Sequence, residues 1–117
     1  MIKKSASLFA LVFAATFSPN ALANYYCTGT VSYLGLDAEG SVTVALTNAT
    51  KVHKICSMAN QGNYTITPVA CKAVYGALLT AKSIGNTMRI YYYDRYTCET
   101  IPDWSVIPET YFVEGPF

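Results

Sequence analysis

Between Ser41 and Thr47 the chain alternates strictly, with Val42, Val44 and Leu46 on one side and Thr43, Ala45 and Thr47 on the other. That period of two predicts a half-buried strand. The preceding run, Cys27–Leu36, is rich in β-formers and ends in the turn signal Asp37-Ala38-Glu39-Gly40, so the two segments predict a hairpin. Lys51–Met58 predicts a weaker third strand, followed by the polar loop Ala59–Tyr64. The period then changes. Val74, Ala77, Leu78, Ala81 and Ile84 recur at helical spacing and predict one buried stripe. Thr67 suits the N-cap, Pro68 the first helical position and Gly85-Asn86 the stop.

After the helix, "TMRIYYYDRYTC" (Thr87–Cys98) predicts a fourth strand. Met88, Ile90 and Tyr92 fall on its inner side, and Arg89, Tyr91 and Tyr93 on its outer side. Pro102 and Pro108 punctuate a loop, and Thr110–Glu114 predicts the last strand. The expectation is a mainly β domain with one helix, in the order β-β-β-α-β-β. That is the order of the five-stranded OB barrel, whose helix lies between the third and fourth strands.

The cysteines bear on this topology. In such a barrel the first and fourth strands are antiparallel neighbours, so the start of one meets the end of the other. Cys27 opens the first strand and Cys98 closes the fourth, while Cys56 ends the third and Cys71 lies in the helix's first turn. The expected pairing, one of three, is therefore Cys27–Cys98 with Cys56–Cys71. Zinc is the competing use of four cysteines, but there is no CxxC pair and only one His.

The first residues change the chemistry that follows. Residues 1–23 have a charged start (Lys3, Lys4), a short apolar run (Leu8–Phe17), a break at Pro19 and the small-x-small triplet Ala21-Leu22-Ala23. They predict a removable secretory signal peptide. The run falls short of the roughly 20 apolar residues that a spanning helix needs. Residues 24–117 then form a single domain, secreted or periplasmic, where disulfides persist. Removing Lys3 and Lys4 from the eight basic residues leaves six against seven acidic ones. A near-neutral chain without a basic cluster predicts no nucleic-acid partner and no polybasic membrane signal, and no later segment is long and apolar enough to predict a membrane span.

Catalytic chemistry is poorly provided for. Once the cysteines pair no thiol remains, and Ser57 and Ser83 lack a nucleophile elbow. The carboxylates are scattered through turns and strand ends, and His53 is single and expected to face solvent. Neither an enzyme nor a metal or cofactor is expected. Binding is better supplied, by ten tyrosines and one tryptophan. The candidate ligand residues are Arg89, Tyr91 and Tyr93 on the outer side of the fourth strand, Asp94, Arg95 and Tyr96 at its end, and Trp104 in the loop "IPDWSVIP". Tyr91 and Tyr93 either bind a ligand or line a subunit contact. Trp104 either caps the same edge or plugs the barrel's open end. A stripe of small residues on the helix, Ala73, Gly76 and Thr80, lets another backbone approach, which is either a neighbouring subunit's helix or the domain's own sheet.

With "CTGTVSYLG" opening the domain and "CKAVYGALLTAKSIGNTMRIYYYDRYTC" carrying a helix through a Gly-Asn turn into a Cys-ended strand, the chain resembles the binding subunits of bacterial A–B toxins with a pentameric B ring. The subtilase-cytotoxin and pertussis-like branches are the nearest in pattern, and stand-alone exported proteins of unknown role share it. The resemblance implies a protomer in a homopentamer lined by its helices. It also implies binding of a glycan or host glycoprotein on an outer face, and a partner A subunit. The alternative expectation is a monomeric exported accessory or inhibitor that binds another protein.

Overall fold

The computed structural model describes residues 24–117, so the expected signal peptide lies outside the described residues. The elements are β1 (Tyr25–Leu36), β2 (Ser41–Leu46), β3 (His53–Ser57), α1 (Pro68–Ile84), β4 (Thr87–Tyr92), β5 (Ser105–Val106) and β6 (Thr110–Glu114). They form one sheet in the order β5-β3-β2-β1-β4-β6, antiparallel except for the parallel β3–β5 pair. The mainly β, one-helix class and the antiparallel β1–β4 neighbourhood match the sequence reading.

The closed five-stranded barrel does not. The sheet is open and has six strands: Thr110–Glu114 forms the expected last strand, and the segment expected to be a loop between Pro102 and Pro108 supplies a further two-residue strand, Ser105–Val106. Val106 pairs with Lys54 on one edge of the sheet, and four residues later Thr110 begins a strand on the opposite edge. Pro108 lies between them. It has no N–H to continue a ladder, and its fixed φ turns the chain away from β3.

β1 makes the sheet continuous by serving two partners. Tyr25–Thr30 pair with β4, whereas Val31 and Tyr33–Leu36 pair with β2, with an irregularity between Val31 and Tyr33. Gly29 sits at the changeover. A Cβ there would stand 2.8 Å from the Thr47 carbonyl oxygen, so only glycine lets the end of β2 approach this closely. The β2 strand was expected to be half-buried, yet all six residues are buried. It is the inner strand of its trio, and the small Thr43 and Ala45 lie beside the longer Lys54 and Tyr33 of their neighbours, which shield them.

The helix follows its sequence signals at both ends. The Thr67 side chain accepts from the Ala70 N–H, Pro68 opens the helix, and Gly85 ends it with φ 75°. Cys71, Leu78 and Ala81 are buried against the sheet, with Val74, Tyr75 and Ala77 half-buried around them. Ile84 is exposed, contrary to the expected stripe, because the helix ends as it leaves the core. Ala73, Gly76 and Thr80 lie on the exposed side, so they do not pack on the domain's own sheet.

The disulfides are Cys27–Cys98 and Cys56–Cys71, as expected from the strand order. Cys98 lies six residues beyond the end of β4, so its bridge fastens the long loop Tyr93–Trp104 to the start of β1. Ile101 anchors that loop in the core, and Ile107, just beyond β5, is buried as well. The bridges close chain separations of 71 and 15 residues. In the loop-entropy account these are worth about 4 and about 3 kcal/mol respectively. Replacing both Cys27 and Cys98 by alanine should therefore lower unfolding stability more than replacing Cys56 and Cys71, as read from urea denaturation midpoints. The reverse ranking would show that the long loop is not what the first bridge constrains.

Candidate functional site

The inner face of β4 carries Met88, Ile90 and Tyr92, all fully buried. The outer face carries Arg89 and Tyr91, half-buried, and the strand leads into the more exposed Tyr93. Alternation alone explains this division. The neighbouring strands add more. Tyr26 stands opposite Tyr91 on β1, with ring centroids 5.4 Å apart. On the other side Tyr91 pairs with Phe112 and Tyr92 with Thr110, so Tyr111 is the extra residue of a bulge. A bulge turns two successive side chains to the same face. Tyr111 and Phe112 are both exposed as a result, with centroids 6.1 and 5.2 Å from Tyr91. Tyr93 extends the strip, 5.8 Å from Tyr111.

A polar pair crosses this aromatic surface. Glu114 Oε1 accepts from the Tyr91 hydroxyl at 2.9 Å and lies 3.5 Å from Arg89 Nη1. The Arg89 guanidinium is stacked between the Tyr26 and Phe117 rings, 5.0 Å from each centroid. Phe117 reaches it because the chain folds back after β6, where its N–H donates to the Thr87 carbonyl at 2.9 Å. Gly115 makes that return at φ 122°, and a Cβ there would meet Met88 Sδ at 2.8 Å. The result is a strip of six rings with one compensated charge pair. Tyr26 and Phe112 are each about half exposed, at 54% and 49%.

The remaining expected residues divide. Arg95 is exposed, and Tyr96 is half-buried against the core. Asp94 is only 4% exposed and faces inward. Its Oδ1 accepts from the Tyr25 hydroxyl at 2.6 Å and from the Tyr96 N–H at 2.9 Å. Its Oδ2 is buried without a hydrogen-bond partner among the described residues. Trp104 does not join this surface and does not plug the sheet. Ile101 and Ile107 on either side of it are buried in the core, while Trp104 is 55% exposed and packs edge-on to Tyr33 on the distal half of β1. Its backbone is left-handed, φ 60°, held by a 2.6 Å hydrogen bond from its N–H to the Val52 carbonyl.

His53 also departs from expectation, being fully buried rather than facing solvent. Its Nδ1 lies 2.8 Å from the Lys51 carbonyl, which can only accept, so that nitrogen carries the proton. Nε2 then accepts from the Tyr92 hydroxyl at 2.7 Å. The Tyr92 ring stacks on Tyr25 at 5.1 Å, so a polar chain from β3 to β1 lies beneath the outer strip. Burial keeps the Tyr25 and Tyr92 phenols protonated, with Asp94 reinforcing both, and holds His53 below its ordinary value.

Five residues of the strip, Tyr26, Tyr111, Phe112, Glu114 and Phe117, were not among the sequence candidates. Tyr26 could have been found by extending the alternation of β1 backwards from Cys27. The bulge at Tyr111 leaves no mark in the period of "TYFVE". Among the described residues no group of three or more His, Cys, Asp or Glu side chains could hold a metal, and no helix is long and apolar enough to cross a membrane. No protein-family model, curated protein or solved structure matches the chain.

The depressed His53 gives a pH dependence with a definite sign. The unfolded chain binds this proton near the ordinary value of 6.5, and the folded chain binds it only at lower pH. The stabilisation is complete above about pH 6.5 and lost as the pH falls, with a limiting slope of about 1.4 kcal/mol per pH unit. Denaturant midpoints at pH 7.5, 6.5 and 5.5 should show this decline, and His53→Gln should flatten it.

Proposed function

We propose that this chain is a non-enzymatic binding module that recognises glycans through the outer face of β1, β4 and β6. The observation that carries this reading is the strip itself. Six aromatic rings lie exposed or half-exposed on one sheet face, and the one charge pair among them is already compensated. Such rings cost water little to uncover on their polar edges and offer flat apolar faces for the C–H sides of sugar rings. The Tyr hydroxyls, Arg89 and Glu114 supply donors and acceptors at the margin. A patch of this kind marks an interaction site more often than an idle surface. The reading agrees with the role implied by the resemblance to toxin binding subunits, and it needs no closed barrel.

A second reading has its own support. Phe112 and Phe117 have no hydroxyls and are well exposed, which suits a protein partner or another copy of the chain. The exposed helix stripe of Ala73, Gly76 and Thr80 gives a ring of subunits a second surface on which to pack. In a pentamer of this kind the strip would face outward and an A subunit would dock on the ring.

A glycan array probed with labelled protein tests the first reading. Binding to a defined set of saccharides is expected, and Tyr26→Ala and Phe112→Ala should each weaken it about thirtyfold, the size of a typical hot-spot loss. Because both rings are about half exposed, melting temperatures should move little. A blank array together with capture of a deglycosylated protein partner would favour the second reading. Light scattering gives the assembly directly, with a mass near five protomers expected for a toxin-like ring.

A further inference from the structure

The β5-β3-β2 end of the sheet carries a cavity of about 560 Å³ that has no lining residue in common with the aromatic strip. Its volume lies within the roughly 300–1,000 Å³ of pockets that hold small organic ligands. Lys54 and Ser57 of β3, Val106 of β5, Glu39 and Ser41 of the first hairpin and the loop Asn60–Tyr64 line it. The loop is held in one shape by its own polar groups. Ser57 Oγ accepts from the Ala59 and Asn60 N–H groups at 3.2 and 3.1 Å. Asn60 Oδ1 accepts from the Gly62 N–H at 3.2 Å, and Gln61 Nε2 donates to the Tyr64 carbonyl at 3.0 Å. Just beyond, the Thr65 N–H donates to the Pro108 carbonyl, and Cys56–Cys71 closes the whole segment.

These bonds leave a set of polar atoms without partners among the described residues: Asn60 Nδ2, Gln61 Oε1, both amide atoms of Asn63 and the Tyr64 hydroxyl. Ser41 adds one more. It is only 7% exposed, yet its hydroxyl makes no hydrogen bond among the described residues and is not sealed from solvent. We propose that this cavity is a second saccharide site, taking a neutral sugar unit through its vicinal hydroxyls. It goes beyond the strip and does not rest on it. A side-chain amide sets a donor beside an acceptor, which a vicinal diol complements, and the Ser41 and Tyr64 hydroxyls take either role. The half-exposed Val106 and the Tyr64 ring offer apolar surface to the sugar's C–H groups. Charge sets the class of sugar. Lys54 Nζ is already paired with Asp37 Oδ2 at 3.2 Å, while Glu39 has no ion-pair partner among the described residues. A phosphate or an anionic sugar would meet net negative charge, whereas a neutral one meets donors and acceptors already held in place.

The test is to titrate ¹⁵N-labelled protein with the methyl glycosides of glucose, galactose, mannose and N-acetylglucosamine, with a trisaccharide of each, with inorganic phosphate and with trialanine. At least one neutral sugar should shift the amides of Ser41 and Asn60–Tyr64 saturably, as the single unit or more tightly as its trisaccharide. Asn63→Ala should weaken that binding about tenfold and Tyr64→Phe about threefold, the losses expected for two hydrogen bonds and for one. Amide dispersion in the same spectra shows whether each variant is folded, and if Asn63→Ala is not, Tyr64→Phe carries the test. Shifts at the loop without shifts at Tyr26, Tyr91 and Phe112 would sustain this site and count against glycan binding on the strip. Shifts confined to those three rings would overturn the cavity proposal and leave the strip reading standing. A loop that responds to phosphate or trialanine but to no sugar would overturn the saccharide assignment. Shifts nowhere, with any sugar, would overturn both sites.

Discussion

The shared use of β1 is the constraint on which the other features depend. Its first six residues pair with β4 and most of the remainder with β2, so one strand joins two antiparallel ladders into a single sheet. The changeover requires close approach of the β2 end to Gly29. Cys27, just before it, is bridged to the loop that follows β4. Tyr25 and Tyr26 straddle this anchored end, one stacked inward on Tyr92 and the other outward beside Tyr91. If β1 were shifted by one residue, every one of these side chains would exchange faces.

The two layers of β4 divide labour accordingly. Beneath the sheet, His53, Tyr92, Tyr25 and Asp94 form a buried polar arrangement in which every hydrogen-bonding group but one oxygen is matched. Above it, the outer rings and the Arg89–Glu114 pair remain open to solvent. Rigid elements hold the outer surface, because the rings project from paired strands rather than from a loop. This is the arrangement in which aromatic contacts bind with little loss of side-chain freedom.

Most of the scaffold was legible in the residues. Thr67, Pro68 and Gly85 signalled both ends of the helix through chemistry confined to a single turn. The inward and outward tyrosines of β4 followed from a period of two, and the disulfide pairing followed from strand order. What the sequence concealed was non-local. Whether the sheet closes depends on how the chain divides around Pro108, and a two-residue strand such as Ser105–Val106 has no periodicity to detect. The exposure of Tyr111 together with Phe112 arises from a register shift against β4. The burial of His53 depends on Tyr92, 39 residues away. Asp94 looked like a surface residue because its neighbours Arg95 and Tyr93 are exposed, while its own partner Tyr25 lies at the start of the domain.

The single tryptophan gives the molecule an uneven optical character. Trp104 packs on Tyr33, seven positions along β1 from Tyr26, a span of at most about 23 Å at 3.3 Å per residue. Its indole is already largely in water in the native state. Emission from the folded protein will therefore resemble that of a solvated indole and change little on denaturation. The ring-rich face where ligands are proposed to bind will be silent at this wavelength, and visible only through tyrosine.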